Sequence, residues 1–258
     1  MIFATDLDKT LIYYKTYVNE DIMNKVQLIE TREQDPICYI SKKAKSELEK
    51  INKRINVIPT TTRSIEEFYN IKTFEYCKYA IVSNGGTILE NRRIMPEWEE
   101  HINAILNNYK DEFNNLIDLV IKSGLATSKP EVRDNVYVFS RIEDKEKCLD
   151  FLEGKINTDK WNYCVQGKKL FIIPKVITKS NAVKFLKNKL KSNYLIAAGD
   201  SLMDKDMLDI ADLPIIPRHG ELFKEFNYQK DNMYTTKEGI FAADDIVQKV
   251  SEVISKEI

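Results

Sequence analysis

The chain has 258 residues, of which 43% are hydrophobic and 31% are charged, so it can bury one sizeable core or one core with a smaller companion domain. Its 39 basic residues nearly balance its 40 acidic ones, which excludes the overall positive field that attracts nucleic acid or an acidic membrane surface. The four cysteines form no C-x-x-C pair, and the N-terminus has neither a basic segment nor an apolar signal core. We therefore expect a cytoplasmic protein with reduced thiols, no nucleic-acid or membrane partner and no obligate protein partner.

Short apolar runs alternate with helix-like segments along most of the chain. Strands are predicted at residues 2–5, 56–59, 79–83, 194–198 and 214–217. Helices are predicted at residues 41–54, 64–71, 180–190, 204–210 and 242–254. Unbroken apolar strands that alternate with helices are typical of a parallel sheet covered on both faces, so the predicted fold class is α/β, with a doubly wound and mainly parallel sheet.

Two insertions interrupt this alternation. Residues 26–30 and 36–40, separated by a polar turn, predict a β-hairpin beside the carboxyl end of the first strand. Further on, residues 97–122 predict one long amphipathic helix, followed by strands at 135–142 and 163–173 with a short helix near 145–152. The second insertion predicts an α+β cap domain at residues 88–165, inserted into a discontinuous core domain of residues 1–87 and 166–258.

Pairs of carboxylates follow two of the predicted core strands. Asp6 and Asp8 come directly after the first strand, and Asp200 and Asp204 follow the strand at 194–198. Ligands of open α/β sheets bind at the carboxyl ends of the strands, so these four side chains are candidates for one site. Taken singly, Asp6 and Asp8 could be capping or turn residues. Asp200 could be a helix N-cap, and Asp204 an exposed carboxylate on a helix.

Groups that can hold a phosphate lie in the same positions of the predicted sheet. Thr61, Thr62 and Arg63 follow the second strand, and Lys179 begins the helix that leads to the strand at 194–198. A threonine run can also cap the next helix, and a lone lysine is more often solvated. The fixed order of all four segments along one α/β domain favours catalysis over these separate explanations.

This order of motifs resembles that of the haloacid dehalogenase superfamily of phosphohydrolases. The matching segments are Asp6-Leu7-Asp8-Lys9-Thr10, Thr61, Lys179 and Gly199-Asp200 with Asp204. The cap between the second and third motifs, the Asn84-Gly85 segment and residues 234–240 resemble the Cof-type and sucrose-phosphatase-like branch. The variant at residues 61–63 also resembles the hydrolases associated with tellurite resistance. Two residues depart from the branch pattern: Thr62 stands where glycine is usual, and Met203 where asparagine is common.

The resemblance implies a role for each matched residue. Asp6 would be the nucleophile that forms an aspartyl-phosphate, and Asp8 the general acid and base. Thr61 and Lys179 would bind the phosphoryl oxygens. Mg²⁺ would be the cofactor, bound by Asp6, by Asp8 through its backbone carbonyl, and by Asp200, with Asp204 as a further ligand or an anchor. The predicted substrate-binding residues are Thr62, Arg63, Asn84 and Gly85.

The predicted function is a magnesium-dependent phosphomonoester hydrolase that acts on a small phosphorylated metabolite, with a sugar phosphate favoured by the resemblance of the cap. A phosphosugar mutase on the same fold is one alternative, because it would use the same aspartyl-phosphate. A non-catalytic module that binds a ligand or a partner protein is another, although the intact motifs argue against it.

Overall fold

The computed structural model describes residues 1–224 and 233–257. The chain divides into two compact units: Met1–Ile94 with Lys179–Ile258, the core unit, and Met95–Thr178, the inserted unit. The sequence placed these boundaries at 87/88 and 165/166 instead. The first differs because residues 87–94 pair with a strand of the core unit. The second differs because residues 161–174 form a hairpin that belongs to the inserted unit.

The strands are β1 (Ile2–Thr5), β2 (Ile12–Tyr14), β3 (Val26–Arg32), β4 (Asp35–Ser41), β5 (Asn56–Pro59), β6 (Tyr79–Val82), β7 (Thr87–Glu90), β8 (Arg93–Ile94), β9 (Glu131–Arg133), β10 (Tyr137–Arg141), β11 (Trp161–Gln166), β12 (Lys169–Pro174), β13 (Leu195–Ala198) and β14 (Leu213–Ile215). The α-helices are α1 (Lys42–Asn52), α2 (Ile65–Tyr69), α3 (Pro96–Leu106), α4 (Lys110–Lys122), α5 (Lys145–Leu152), α6 (Lys179–Lys189), α7 (Lys205–Asp209), α8 (Glu221–Lys224) and α9 (Ala242–Glu257). Among the described residues, no helix is both long and apolar enough to cross a membrane.

The core unit contains a parallel sheet in the order β14-β13-β1-β5. Every residue of β1 is buried, as expected for the centre of a sheet with both faces covered. A parallel bridge between Thr60 and Ile81 places β6 next to the end of β5. The predicted α/β fold class is confirmed, with strands and helices within a few residues of the expected positions.

The register of this sheet brings the candidate site together. Thr5 lies opposite Ala198 on one side and opposite Pro59 on the other. The next residues along the three strands, which begin the segments carrying the polar motifs, therefore leave the sheet at the same edge. Sequence-distant side chains meet there because all three strands run in the same direction.

The core unit also contains a separate antiparallel sheet in the order β2-β4-β3, which we call the insertion sheet. It contains the hairpin predicted from residues 26–40, which is confirmed. The two turn residues, Glu33 and Gln34, have φ angles of 49° and 74°. Positive φ at both central residues is the two-residue turn whose twist suits a β-hairpin.

The inserted unit joins helices α3–α5 to the antiparallel sheet β11-β12-β10-β9. The prediction of one helix over 97–122 is wrong, because α3 ends at Leu106 and α4 begins at Lys110. Asn107 and Asn108 fall in the break, and asparagine favours turns and caps over helix interiors. The single strand predicted at 163–173 is likewise a hairpin, β11–β12, turned at Gly167 with φ 61°.

Candidate active site

Asp6 stands at the exit of β1 and is 6% exposed. Its backbone N–H donates to the carbonyl of Ala198 at 2.8 Å, which ties it to β13. Lys179 donates from Nζ to Asp6 Oδ1 at 2.6 Å, and the Thr10 hydroxyl donates to Oδ2 at 3.2 Å. The first carboxylate of the chain is therefore held in one orientation by a buried ammonium group.

Lys179 also pairs with Asp204, donating to its Oδ1 at 2.5 Å. The other oxygen of Asp204, Oδ2, accepts from the backbone N–H of Asp200 and from the N–H and hydroxyl of Ser201, at 2.9–3.2 Å. A Cβ atom at Gly199 would lie 2.4 Å from the Cβ of Asp204, so this approach requires glycine. Asp204 thus shapes the loop that carries Asp200.

Three buried carboxylates form an acidic cluster, because one oxygen of each of Asp6, Asp200 and Asp204 lies within 4.8 Å of the others. Burial raises the pKa of Asp6 to about 7, with Lys179 opposing the shift and Asp204 and Asp8 adding to it. Burial, followed by Asp6 and Asp204, also raises the pKa of Asp200. Although burial lowers it, the two partner carboxylates raise the pKa of Lys179. One ammonium group does not balance three carboxylates, so the oxygen-only cluster fits a hard divalent cation such as Mg²⁺.

The second carboxylate of the motif, Asp8, has a different cation. Arg63 donates to its two oxygens from Nε at 2.7 Å and from Nη2 at 2.8 Å. The remaining nitrogen, Nη1, donates to the buried carboxylate of Glu30 at 2.8 Å. The side chain of Arg63 is 5% exposed, and each of its three nitrogens has an acceptor. Its contact with a substrate stays a prediction.

Backbone hydrogen bonds hold the loops after β5 and β6 together. The N–H of Asn84 donates to the carbonyl of Thr61 at 3.0 Å, and that of Ser83 donates to the carbonyl of Arg63 at 2.8 Å. Ser83, Asn84 and Gly85 have φ angles of 52°, 57° and 97°, a left-handed run that places Asn84 beside Thr61. Backbone of this kind is strained for residues other than glycine and is concentrated at functional sites.

Thr61, which is predicted to bind a phosphoryl oxygen, is fully buried. Its hydroxyl accepts from the N–H of Arg63 at 3.1 Å. Thr62 is half-buried, whereas Asn84 and Gly85 are buried. These residues share the sheet edge with Asp6 and Lys179, and their contact with a substrate stays a prediction.

Sequence reasoning missed several residues that surround the motifs. Glu30, Cys38 and Tyr14 belong to the insertion sheet and contact Arg63 or Asp8. His219 also lies beside the first motif: its Nε2 is 2.9 Å from the carbonyl of Lys9, and its Nδ1 accepts from the N–H of Gly239. The one available signal was an acidic residue, Glu30, in a strand of the predicted hairpin.

Comparison with known proteins gives a sequence match and several fold matches. The family profile of haloacid dehalogenase-like hydrolases matches residues 100–216. Sucrose-phosphatase from Synechocystis sp. PCC6803, solved with sucrose and phosphate, has a TM-score of 0.61 at 14% identity, over 98% of this chain and 97% of that one. A haloacid dehalogenase-like hydrolase from Bacteroides thetaiotaomicron has a TM-score of 0.63 at 14% identity, over 98% of both chains. A sugar phosphatase of haloacid dehalogenase subclass IIB has a TM-score of 0.63 at 13% identity, also over 98% of both. No curated protein sequence matches the chain.

The fold and the matched segment define the class of protein: the chain is similar to haloacid dehalogenase-like hydrolases, in fold over nearly its whole length and in sequence over residues 100–216. The resemblance drawn from the motifs is confirmed, and with it the prediction of an enzyme of the hydrolase class. The matched segment includes Lys179, Asp200 and Asp204, which the structure places around Asp6.

Proposed function

We propose that this protein is a magnesium-dependent phosphomonoester hydrolase that acts through an aspartyl-phosphate. One observation carries the proposal. Two carboxylates two residues apart leave the same strand with different cationic partners, Lys179 for Asp6 and Arg63 for Asp8. A nucleophile must lie beside the cations that hold the phosphoryl group, and a general acid must reach the leaving oxygen. The side chain of Asp6 is 8% exposed beside Lys179, and that of Asp8 is 24% exposed, which fits these two roles.

In the first step, a carboxylate oxygen of Asp6 attacks the phosphorus atom of the substrate. The bond between phosphorus and the leaving oxygen breaks, and the carboxyl group of Asp8 gives its proton to that oxygen. Lys179 holds Asp6 in place and donates to the phosphoryl group, where charge accumulates during transfer. The products of this step are the free alcohol and phosphorylated Asp6.

In the second step, water attacks the phosphorus atom of the aspartyl-phosphate. Asp8, now a carboxylate, takes a proton from the water, and the bond between phosphorus and the Asp6 oxygen breaks. Inorganic phosphate leaves, and both carboxyl groups return to their starting states. Arg63 keeps Asp8 oriented through both steps.

Asp6, Asp200 and the backbone carbonyl of Asp8 would hold Mg²⁺, which supplies positive charge that offsets the carboxylates and polarises the phosphoryl group. We assign Asp204 to loop organisation rather than direct ligation, because its oxygens already accept hydrogen bonds from Lys179 and from two residues of the 199–204 loop. Its Oδ2 oxygen accepts three of these bonds.

Thr61 is assigned to a phosphoryl oxygen, because its hydroxyl accepts from the N–H of Arg63 and its proton remains to be donated. Asn84, Gly85 and Thr62 are assigned to the substrate side of the same edge. A small sugar phosphate is the proposed substrate, supported by the fold relatives that are a sucrose-phosphatase and a sugar phosphatase.

Release of inorganic phosphate from p-nitrophenyl phosphate with Mg²⁺, followed by a panel of phosphorylated sugars, tests the proposal. We expect hydrolysis that requires Mg²⁺ and a preference within the sugar phosphates. Interconversion of hexose phosphate isomers without accumulation of phosphate would identify a mutase instead. Neither hydrolysis nor isomerisation, together with no binding of Mg²⁺ in a thermal-shift assay, would identify a non-catalytic module.

A further inference from the structure

A row of three side chains crosses the insertion sheet beside the Asp8–Arg63 pair. Tyr14 of β2 lies opposite Cys38 of β4, and Cys38 lies opposite Glu30 of β3. The pairing of β3 with β4 shifts register on both sides of Glu30, so this part of the hairpin is irregular. Bulges of this kind redirect side chains and are frequent beside active sites. The irregularity coincides with Glu30, the buried carboxylate of the hairpin.

Each member of the row contacts the Asp8–Arg63 pair. The side chain of Tyr14 lies near Asp8, and Cys38 Sγ lies 3.4 Å from Arg63 Nη2. Glu30 accepts from Arg63 Nη1 at 2.8 Å. The whole row of the insertion sheet therefore faces the acid/base residue and the cation bound to it.

The guanidinium group of Arg63 is fixed from both ends. The two oxygens of Asp8 accept hydrogen bonds from Nε and Nη2, and Glu30 accepts one from Nη1. Because the guanidinium is planar and rigid, fixing Nη1 also fixes the plane in which the Asp8 carboxyl group lies.

Burial separates the residues that support from the residue that reacts. The side chains of Arg63 and Glu30 are 5% and 3% exposed, whereas the side chain of Asp8 is 24% exposed. Of the three, Asp8 has the surface to meet a substrate. The side chains of Glu30 and Arg63 act on the reaction through Asp8.

We propose that Glu30 is a positioning residue for the reaction: it anchors Arg63, and Arg63 holds the carboxyl group of Asp8 in the orientation that proton transfer to the leaving oxygen requires. This inference rests on the proposed function and extends it, because it makes the insertion sheet a working part of the active site. Neither Glu30 nor the sheet belongs to the motifs that predicted the site.

The test compares two substrates that differ in their need for an acid. An alkyl phosphate, such as a hexose 6-phosphate, has a poor leaving group that must be protonated, whereas p-nitrophenyl phosphate has a good one. We expect Glu30→Gln to lower kcat/KM for the alkyl phosphate by about tenfold, part of the effect of a general acid, and to lower that for the aryl phosphate less than about threefold. The matched control is Glu33→Gln at the exposed hairpin turn, which leaves both values unchanged.

Two further variants separate positioning from folding. Glu30→Asp keeps the charge but shortens the side chain, and it should show the same dependence on the leaving group. When Arg63 is already replaced by methionine, adding Glu30→Gln should lower kcat/KM for the alkyl phosphate little further, because Glu30 acts through Arg63. Equal losses on both substrates, or no loss in either Glu30 variant, would overturn the inference while leaving the proposed function intact. An inactive wild-type protein, or a fully active Asp6→Asn variant, would overturn both.

Discussion

The surroundings of Asp6 and of Asp8 differ although both residues follow β1. Asp6 is paired with Lys179, which also holds Asp204; Asp8 is paired with Arg63, which also holds Glu30. The side chain of Asp6 is 8% exposed and that of Asp8 is 24% exposed. In each case one cation joins a motif carboxylate to a second, more deeply buried one. The identity of the cation and of that second carboxylate gives the two aspartates different environments.

The largest expected effect comes from the nucleophile. Asp6→Asn keeps the size of the side chain but removes the attacking carboxylate, so turnover should fall by roughly four orders of magnitude or more, as when other enzymes lose a nucleophile. Phosphate release from p-nitrophenyl phosphate measures it. Asp118→Asn, at an exposed position of α4, should behave as the wild type. Normal activity in Asp6→Asn would sink the assignment.

Asp8→Asn should lower turnover less than Asp6→Asn does, and the size of the loss should depend on the substrate. Loss of the general acid and base is expected to lower turnover of an alkyl phosphate by about 10²- to 10⁴-fold. Rapid-quench measurement with an aryl phosphate should still show a burst of released nitrophenol, because this leaving group needs no proton. If Asp8→Asn and Asp6→Asn lose activity equally on both substrates and neither shows a burst, the two carboxylates do not have separate roles.

Lys179→Met tests the cation on the Asp6 side. Removing it takes a donor from the phosphoryl group, which typically costs about 10²- to 10³-fold in rate. It also leaves two buried carboxylates without their ammonium partner, so we expect a loss of about 3–5 kcal/mol in the free energy of unfolding without metal. Lys184→Met, at an exposed position of the same helix, is the matched control. Urea unfolding and steady-state kinetics give the two quantities; an unchanged stability would contradict the buried ion pair.

The smallest expected effect is a pH dependence on the Asp6 side. Burial raises the pKa of Asp6 to about 7 and also raises that of Asp200, so the metal-free folded state binds more protons than the unfolded state. Its stability should therefore fall as pH rises through about 7. Mg²⁺ competes with those protons, so the rise in Tm on adding Mg²⁺ should be larger near pH 8 than near pH 5.5. Equal shifts at the two pH values would contradict this, and Asp6→Asn should flatten the difference.

Much of the core unit could be predicted from the sequence because its signals are local. The apolar run of β1 and the carboxylates after it are adjacent in the chain, and parallel pairing then brings Asp200 to the same edge. Periodicity also found the buried face of α3 and α4, including Trp98 and Phe113. It did not find the break at Asn107, because a short turn between the helices leaves the apolar spacing almost unchanged.

The partners of Arg63 could not be predicted, and the reason is physical. A guanidinium group is long enough to bind a phosphate, an aspartate or a distant glutamate, and the choice depends on which carboxylate the fold brings near it. Glu30 lies 33 residues earlier, in a sheet whose position no local pattern specifies. The burial of Arg63 and its two bonds to Asp8 support the proposal that it orients Asp8.

The irregular pairing of the β3–β4 hairpin has a consequence for how this region tolerates insertion and deletion. Leu28 pairs with Tyr39 and Thr31 pairs with Pro36, but Glu30 pairs with Cys38, so Ile29 and Ile37 are each an extra residue on opposite strands. The two extras compensate, and the alignment of the hairpin is the same at its base and at its turn. Deleting Ile29 alone would leave Ile37 as a single uncompensated bulge, whereas deleting both would restore a regular ladder with its turn unchanged. Comparison of the melting temperatures of the single and paired deletions would reveal this compensation.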